Sequence, residues 1–370
     1  MTPGPQVSVV VRGGDSPALL VTCLEHLGAL RTAPHEIILV DPGTDESTRH
    51  LVAEKFPDVV HLRPPRRPGR AQTPWQAGLS YASGDVVAFL GGDTRVDEFW
   101  LDALTTHYAD PAVSAVGGRV VSASPASRGP HAVHAARADG EALAAHEATT
   151  GLASIGRVLP SGELTSFFGA DPGRPVEVDH LPTANLSFRT AALASVGGFR
   201  APGPGTTDHD ATDAALRLSA AGHRLVFTPQ AITRRDTAAE APGRTDLRHL
   251  FGTRRDHLIL LTGAYGWRHP LVRRYPATTL RDQHRHLRAA YRLLRARPDD
   301  HGSRPPLHRR AIWPVIFTRS VAELAGLAAG TLAALQLRSG HGSGHRSGHG
   351  SRHGSRHGSG HRPVATDPGS

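Results

Sequence analysis

The chain has 370 residues and a formal net charge of +9, with a single cysteine. Its length is well above the size at which core burial becomes marginal, so a substantial core is expected, and one cysteine excludes an intramolecular disulfide. The positive charge is concentrated in arginine-rich segments such as 281–297 and in the tail, with no interleaved aromatic stripe, zinc-ligand spacing or DNA-binding motif, so nucleic acid is not an expected partner.

The first residues, MTPGPQVSVVVRGGD, lack the basic region and long apolar run of a signal peptide, which points to a cytoplasmic protein. Short β-branched runs follow at 7–11 (VSVVV), 36–40 (EIILV), 59–62 (VVHL) and 86–90 (VVAFL). Helical spacing separates them at 18–30, 48–56 and 72–82. Strands that read as continuous apolar runs are buried on both faces, and their alternation with helices predicts an α/β fold with a mostly parallel central sheet. Cys23 sits in an apolar helical context that suits a packed thiol better than a nucleophile.

The rhythm breaks over 122–179, with an Ala-rich helical stretch at 132–146 and a hairpin, IGRVLPSGELTSFF, turning at Pro160-Ser161-Gly162. It resumes with 186–196, a helix ending at the capping Gly222, and the strand RLVFTP. After Ala231 the chain becomes helical and basic. The stretch 324–337 is uncharged over 14 residues. That is short of the roughly 20 a spanning helix needs, so it packs on the domain or lies on a membrane surface. From 339 to 362 six tetrapeptides of the form Ser-[Gly/Arg]-His-[Gly/Arg] place histidines from His341 to His361, a disordered tail by composition in which metal chelation is chemically open. The expected division is 1–230, 231–337 and 338–370.

In open α/β sheets ligands bind beyond the carboxyl ends of the strands. Two aspartates occupy such places: Asp41 after EIILV, and Asp93 after VVAFL in FLGGDTRVDEFWL. An aspartate there either caps the next helix or faces a ligand; two on one sheet edge favour a nucleotide and its metal. Magnesium takes one or two carboxylates and completes its shell with water and phosphate oxygens, so Asp93 alone suffices to anchor it.

The order VSVVVRGGDSPALLVTCLEHL, EIILVDPGTDEST, QAGLSYASGDVVAFLGGDTRVDEFWLDAL, HLPTANLSFRTAALASVGGF and DATDAALRLSAAGHRLVFTP resembles glycosyltransferase family 2 with the GT-A fold, from Val7 to Pro229. The resemblance implies transfer of a sugar, with inversion, from a nucleotide diphosphate to an acceptor hydroxyl, usually with a divalent metal (magnesium or manganese). It assigns Asp41, Asp93 and Arg255 to the donor, with Asp93 also holding the metal. It puts Asn185 and Arg189, in TANLSFR, on the acceptor side. The catalytic base falls on Asp210, with Asp213 the next acidic residue and Asp208 a further substitute.

The sequence departs from the family pattern at Pro42, where a second aspartate is usual, and at Trp75, where an arginine is usual. Gly91 and Gly92 stand before Asp93 in the metal motif, and Ala211 replaces the second acidic residue of the base pair. Arg255, Asp256 and His257 resemble an Arg-Asn-His motif, and Arg254 or Arg255 suits pyrophosphate because guanidinium pairs with phosphate oxygens. Beside each assignment stands a plainer one. Asp208 and Asp210 suit N-capping, Asn185 and Arg189 suit local backbone groups and a surface ion pair, His180 suits a neutral buried histidine, and the arginines suit a solvated helix face. The acceptor class expected is a cell-envelope polysaccharide, a lipid carrier or a secondary metabolite, with a peripheral contact at the inner face of the cell membrane through the basic region. The alternative is a pseudo-glycosyltransferase that binds without turnover.

Overall fold

The computed structural model describes residues 4–14, 16–41, 43, 46–64, 73–122, 154–200, 210–235, 247–295 and 308–341. Pro42, Asp208, the 203–207 loop, the 132–146 stretch and the tail beyond 341 lie outside the described residues. The chain falls into two compact units, Met1–Ala334 and Leu335–Ser370, and the site lies in the first.

The first half alternates strands and helices: β1 (Val7–Arg12), α1 (Pro17–Gly28), β2 (Glu36–Val40), α2 (Glu46–Lys55), β3 (Val59–Leu62), α3 (Pro74–Tyr81), β4 (Val86–Gly91), β5 (Thr94–Val96) and α4 (Trp100–Thr105). Then come β6 (Val113–Ser122), β7 (Val176–Val178), β8 (Leu186–Arg189), α5 (Thr190–Ser195), α6 (Asp210–Ala220) and β9 (Arg224–Arg235). Helix starts follow capping chemistry. Ser16 accepts from the Leu19 amide with Pro17 in the first turn, and Thr73 accepts from the Gln76 amide ahead of Pro74. Helix α6 closes as expected at Gly222, whose φ of +85° a side chain would disfavour, and His223 N–H returns to the Leu218 carbonyl.

The sheet runs β3-β2-β1-β4-β8-β6-β9-β5, with β7 beside β9. The expected parallel arrangement holds for β3-β2-β1-β4 and for β6-β9, whereas β8, β5 and β7 pair antiparallel with their neighbours. Successive side chains feed opposite cores, as the two-residue period of a strand requires. Val7, Val9 and Val11 join Leu20, Leu24, Trp100 and Leu104 on the α1/α4 side. Val10, Val87 and Phe89 join Trp75, Ala214 and Leu218 on the α3/α6 side. Helix α3 reaches the sheet at Gly78, where an added Cβ would meet Val10 Cγ1 at 2.3 Å.

The hairpin is present: Leu159 N–H bonds to the Glu163 carbonyl, Thr165 N–H to the Arg157 carbonyl, and Gly162 turns at φ +87°. Strand β9 runs to Arg235, through the boundary expected at 230. Among the described residues three helices follow, α7 (Leu247–Tyr265), α8 (Pro270–Arg295) and α9 (His308–His341). They share a small core of Leu258, Leu261, Val272, Tyr275 and Leu327, which also packs Val158 of the hairpin. Gly326 and Gly330 of α9 lie against the backbone of Phe251 and Arg255, where an added Cβ would fall 2.3 and 2.8 Å from their carbonyl oxygens. The part of the uncharged stretch around Gly326 and Gly330 therefore packs on the fold, and among the described residues no helix is long and apolar enough to cross a membrane.

Candidate active site

Strand order reverses between β1 and β4, which places a crevice beyond their carboxyl ends. The register pairs Arg12 with Gly91 there. A small cleft opens at this point, lined by Arg12, Trp75, Gly91, Asp93, Thr183, Ala184 and Arg235. Trp75 forms its buried floor, edge-on to Phe89 at 5.3 Å between ring centroids, and the Arg12 guanidinium lies 5.7 Å from the Trp75 ring. The tryptophan at this position is thus part of the wall, with Arg12 at the end of β1 beside it.

Asp93 stands between β4 and β5. The antiparallel pairing of β5 with β9 sets Thr94 opposite Arg235 and so brings Arg235 beside the preceding aspartate. Arg235 Nε donates to Asp93 Oδ2 at 2.7 Å. Gly91 makes this arrangement possible, because a Cβ there would lie 2.6 Å from Asp93 Oδ1. The divalent ion that the family implies finds a poor donor set. Asp93 is one carboxylate already paired with a guanidinium, the two preceding residues are glycines, and among the described residues no group of three or more His, Cys, Asp or Glu could hold a metal. A metal at Asp93 would have to share its carboxylate with Arg235.

Asp41, at the end of β2, is buried; its amide donates to the Leu62 carbonyl and its Oδ1 accepts from Gly43 N–H at 2.8 Å. Its Oδ2 lies 3.7 Å from His61 Nε2, beyond hydrogen-bond range. Burial holds the His61 imidazole below its ordinary pKa, against the upward pull of the Asp41 charge. Gly13 lies against the carboxylate, an added Cβ falling 3.2 Å from Oδ1. Asp41 and His61 thus form a polar corner at the ends of β1, β2 and β3, and Asp41 is not on the wall of the Trp75–Asp93 cleft.

Asn185 and Arg189 take the plainer role. Asn185 is fully buried; its amide donates to the Arg119 and Ala231 carbonyls at 3.1 and 2.8 Å and accepts from the Trp100 indole at 2.9 Å. Arg189 donates to the carbonyls of Val113, Tyr108 and Asp110 and stacks over Tyr108. Both bind backbone groups, and the cleft is touched instead by Thr183 and Ala184 just ahead of them.

Asp210 is the first residue of α6, partly exposed, with Oδ1 accepting from the Ala211 amide at 3.0 Å. Ala211, in the position of the second acidic residue, is buried. Asp213 lies one turn further in and receives the Arg217 Nε at 2.8 Å. Arg217 also donates to the Val196 and Gly198 carbonyls, so the pair fastens α6 to the turn after α5.

Arg255 pairs with Asp256 at 2.7 Å on α7 and does not line the cleft. Arg254 binds Glu323 of α9 and the Tyr275 hydroxyl of α8, while His257 bonds to the Gly162 carbonyl and stacks on Tyr275. This Arg-Arg-Asp-His run ties the hairpin to the C-terminal helices. His180 is buried, edge-on to Phe168, with Nε2 at 2.8 Å from the Thr165 carbonyl, and burial lowers its pKa. Cys23 is a packed thiol, pushed up to about 12 by burial and by the Asp93 charge.

Sequence reasoning missed Arg12 and Arg235. Arg12 ends the first strand, so the strand-end rule that selected Asp41 applies to it equally. Arg235 carries no local signal, being brought to Asp93 from 142 residues away by strand pairing.

Residues 8–153 match the family model for glycosyl transferase family 2. Two Pre-mycofactocin glycosyltransferases, from Mycobacterium tuberculosis strains CDC 1551 / Oshkosh and ATCC 25618 / H37Rv, are each 30% identical over 210 residues, covering 54% of this chain and 37% of theirs. The O-antigen biosynthesis protein RfbC of Myxococcus xanthus is 28% identical over 240 residues, covering 61% of this chain and 17% of its own. The chain therefore spans well under half the length of the curated relatives it matches. Among solved structures, the mannosyltransferase PcManGT from Pyrobaculum calidifontis in complex with GDP-Man and Mn2+ superposes with a TM-score of 0.52 at 19% identity, over 90% of this chain and 88% of that one. At that identity the likeness is one of fold. The matched strands, the crevice at the β1/β4 reversal and the shared architecture together identify residues 8–153 as a glycosyl transferase family 2 match and give the N-terminal α/β region the GT-A fold.

Proposed function

We propose that this chain is an inverting glycosyltransferase that binds a nucleotide-diphosphate sugar at the ends of β1, β2 and β4. The observation that carries the reading is the cleft of Arg12, Trp75, Asp93 and Arg235 at the reversal point of a family 2 sheet. The diphosphate faces the two guanidinium groups, and the nucleoside extends toward the Asp41–His61 corner. In the transfer, an acceptor hydroxyl oxygen forms a bond to the anomeric carbon as the carbon–oxygen bond to the diphosphate breaks. The diphosphate leaves with that electron pair, and the hydroxyl proton passes to a carboxylate. Asp210 is our candidate for that base, since Asp213 is committed to Arg217. The acceptor is a hydroxyl of a cell-envelope glycan, a lipid carrier or a secondary metabolite, classes in keeping with relatives named for O-antigen and for pre-mycofactocin. The basic 231–337 region is proposed to approach a membrane face.

The test is release of nucleoside diphosphate from a panel of UDP-, GDP- and dTDP-sugars. One donor is expected to be hydrolysed slowly. Asp210→Ala should lower that rate by roughly 10²- to 10⁴-fold, the range for loss of a positioned base. A second reading, binding without turnover, is favoured by the buried Ala211 in place of a carboxylate. Nucleotide protection against unfolding with no hydrolysis of any donor would establish it.

A further inference from the structure

We propose that Arg235 and Arg12 perform the charge neutralisation usually given to a divalent ion, so that this site binds a donor diphosphate without metal, with Asp93 as the residue that positions Arg235. The proposal rests on the donor-site reading above. Four features of the cleft support it.

Arg235 reaches the cleft on β9, and the β5–β9 register delivers it directly beside Asp93, with Nε to Oδ2 at 2.7 Å. A guanidinium presents five N–H donors in a planar fork, so an arginine oriented through Nε retains its terminal amino groups for phosphate oxygens. Arg12 stands on the same rim at the end of β1, above Trp75. Both guanidinium groups thus stand on the rim that a diphosphate would meet. Finally, the room at position 91 is filled by the Asp93 carboxylate itself, and a second carboxylate-bearing residue there would displace it. The glycine is therefore part of the arginine arrangement rather than only a missing ligand.

The two chemistries predict opposite effects of one substitution. If Asp93 were a metal ligand, removing Arg235 would free its carboxylate and strengthen metal-dependent binding. If Arg235 is itself the phosphate ligand, removing it weakens binding whether or not metal is present. Calorimetric titration of the full chain with UDP, GDP and dTDP, in EDTA and in millimolar Mn2+ or Mg2+, separates them. We expect the preferred diphosphate to bind with affinities within about twofold in the two conditions. Arg235→Ala should weaken it by roughly 10- to 100-fold in both, the loss expected for a charge-assisted phosphate contact, and Arg235→Lys should recover part of that loss. Asp93→Asn should weaken binding less than Arg235→Ala, because it loosens the arginine without removing it. Arg235 is partly exposed, so these variants should keep the parent melting temperature, and Arg235→Gln serves as a second replacement of similar length. Binding that appears only with metal, or that tightens in Arg235→Ala, overturns the proposal and leaves the donor site standing. Absence of binding by all three diphosphates in both conditions removes the donor-site reading and this proposal with it.

Discussion

Replacing Asp213 by alanine separates a structural carboxylate from a catalytic one. Its partner Arg217 has a side chain only 5% exposed, with Nε on Asp213 and the terminal nitrogens on the Val196 and Gly198 carbonyls. Loss of the carboxylate leaves a buried guanidinium without its counter-charge; Arg200, 3.9 Å from the other oxygen, adds like charge instead. Breaking one side of a buried pair costs about 3–5 kcal/mol. Since 1 kcal/mol shifts the midpoint by about 2–4 °C in domains of 150–250 residues and by less in longer ones, the melting temperature should fall by roughly 4–7 °C. Scanning calorimetry of Asp213→Ala beside Asp210→Ala is the assay. The double variant Asp213→Ala/Arg217→Met should recover much of the loss, because an apolar side chain of similar length carries no buried charge. An Asp213→Ala protein that melts with the parent but has lost donor turnover would refute this reasoning and transfer the catalytic role to Asp213.

Two further outcomes follow from the packing. Gly78→Ala should cost about 1–3 kcal/mol in chemical denaturation, because its Cβ would meet Val10 Cγ1 at 2.3 Å in a filled core; an unchanged midpoint would show that α3 moves freely off the sheet. His180 is held neutral by burial, so its folded pKa lies below its unfolded one. The unfolded chain then binds the extra proton, and stability present above the ordinary histidine pKa of about 6.5 is lost as pH falls below it. Melting curves from pH 7.5 to 5 should show this loss, and it should be smaller in His180→Gln.

The apolar runs at 7–11, 36–40 and 86–90, the helical spacings between them and the cap at Gly222 are local properties, and the sequence was sufficient to place them and their family. The same locality made Asp41 and Asp93 visible as strand-end residues. Partnership is not local. Asn185, Arg189 and Asp213 are polar residues in family motifs, and only the fold shows that Trp100, the carbonyls of β6 and β9, and Arg217 already satisfy them. Sequence likewise presented Gly91, Gly92 and Asp93 as a depleted metal motif. Strand pairing across 142 residues set Arg235 against Asp93, because a hydrogen-bonded register fixes which side chains are neighbours irrespective of their separation in the chain. The strand pattern pointed to the strand ends, and the tertiary structure decided which charges stand together there.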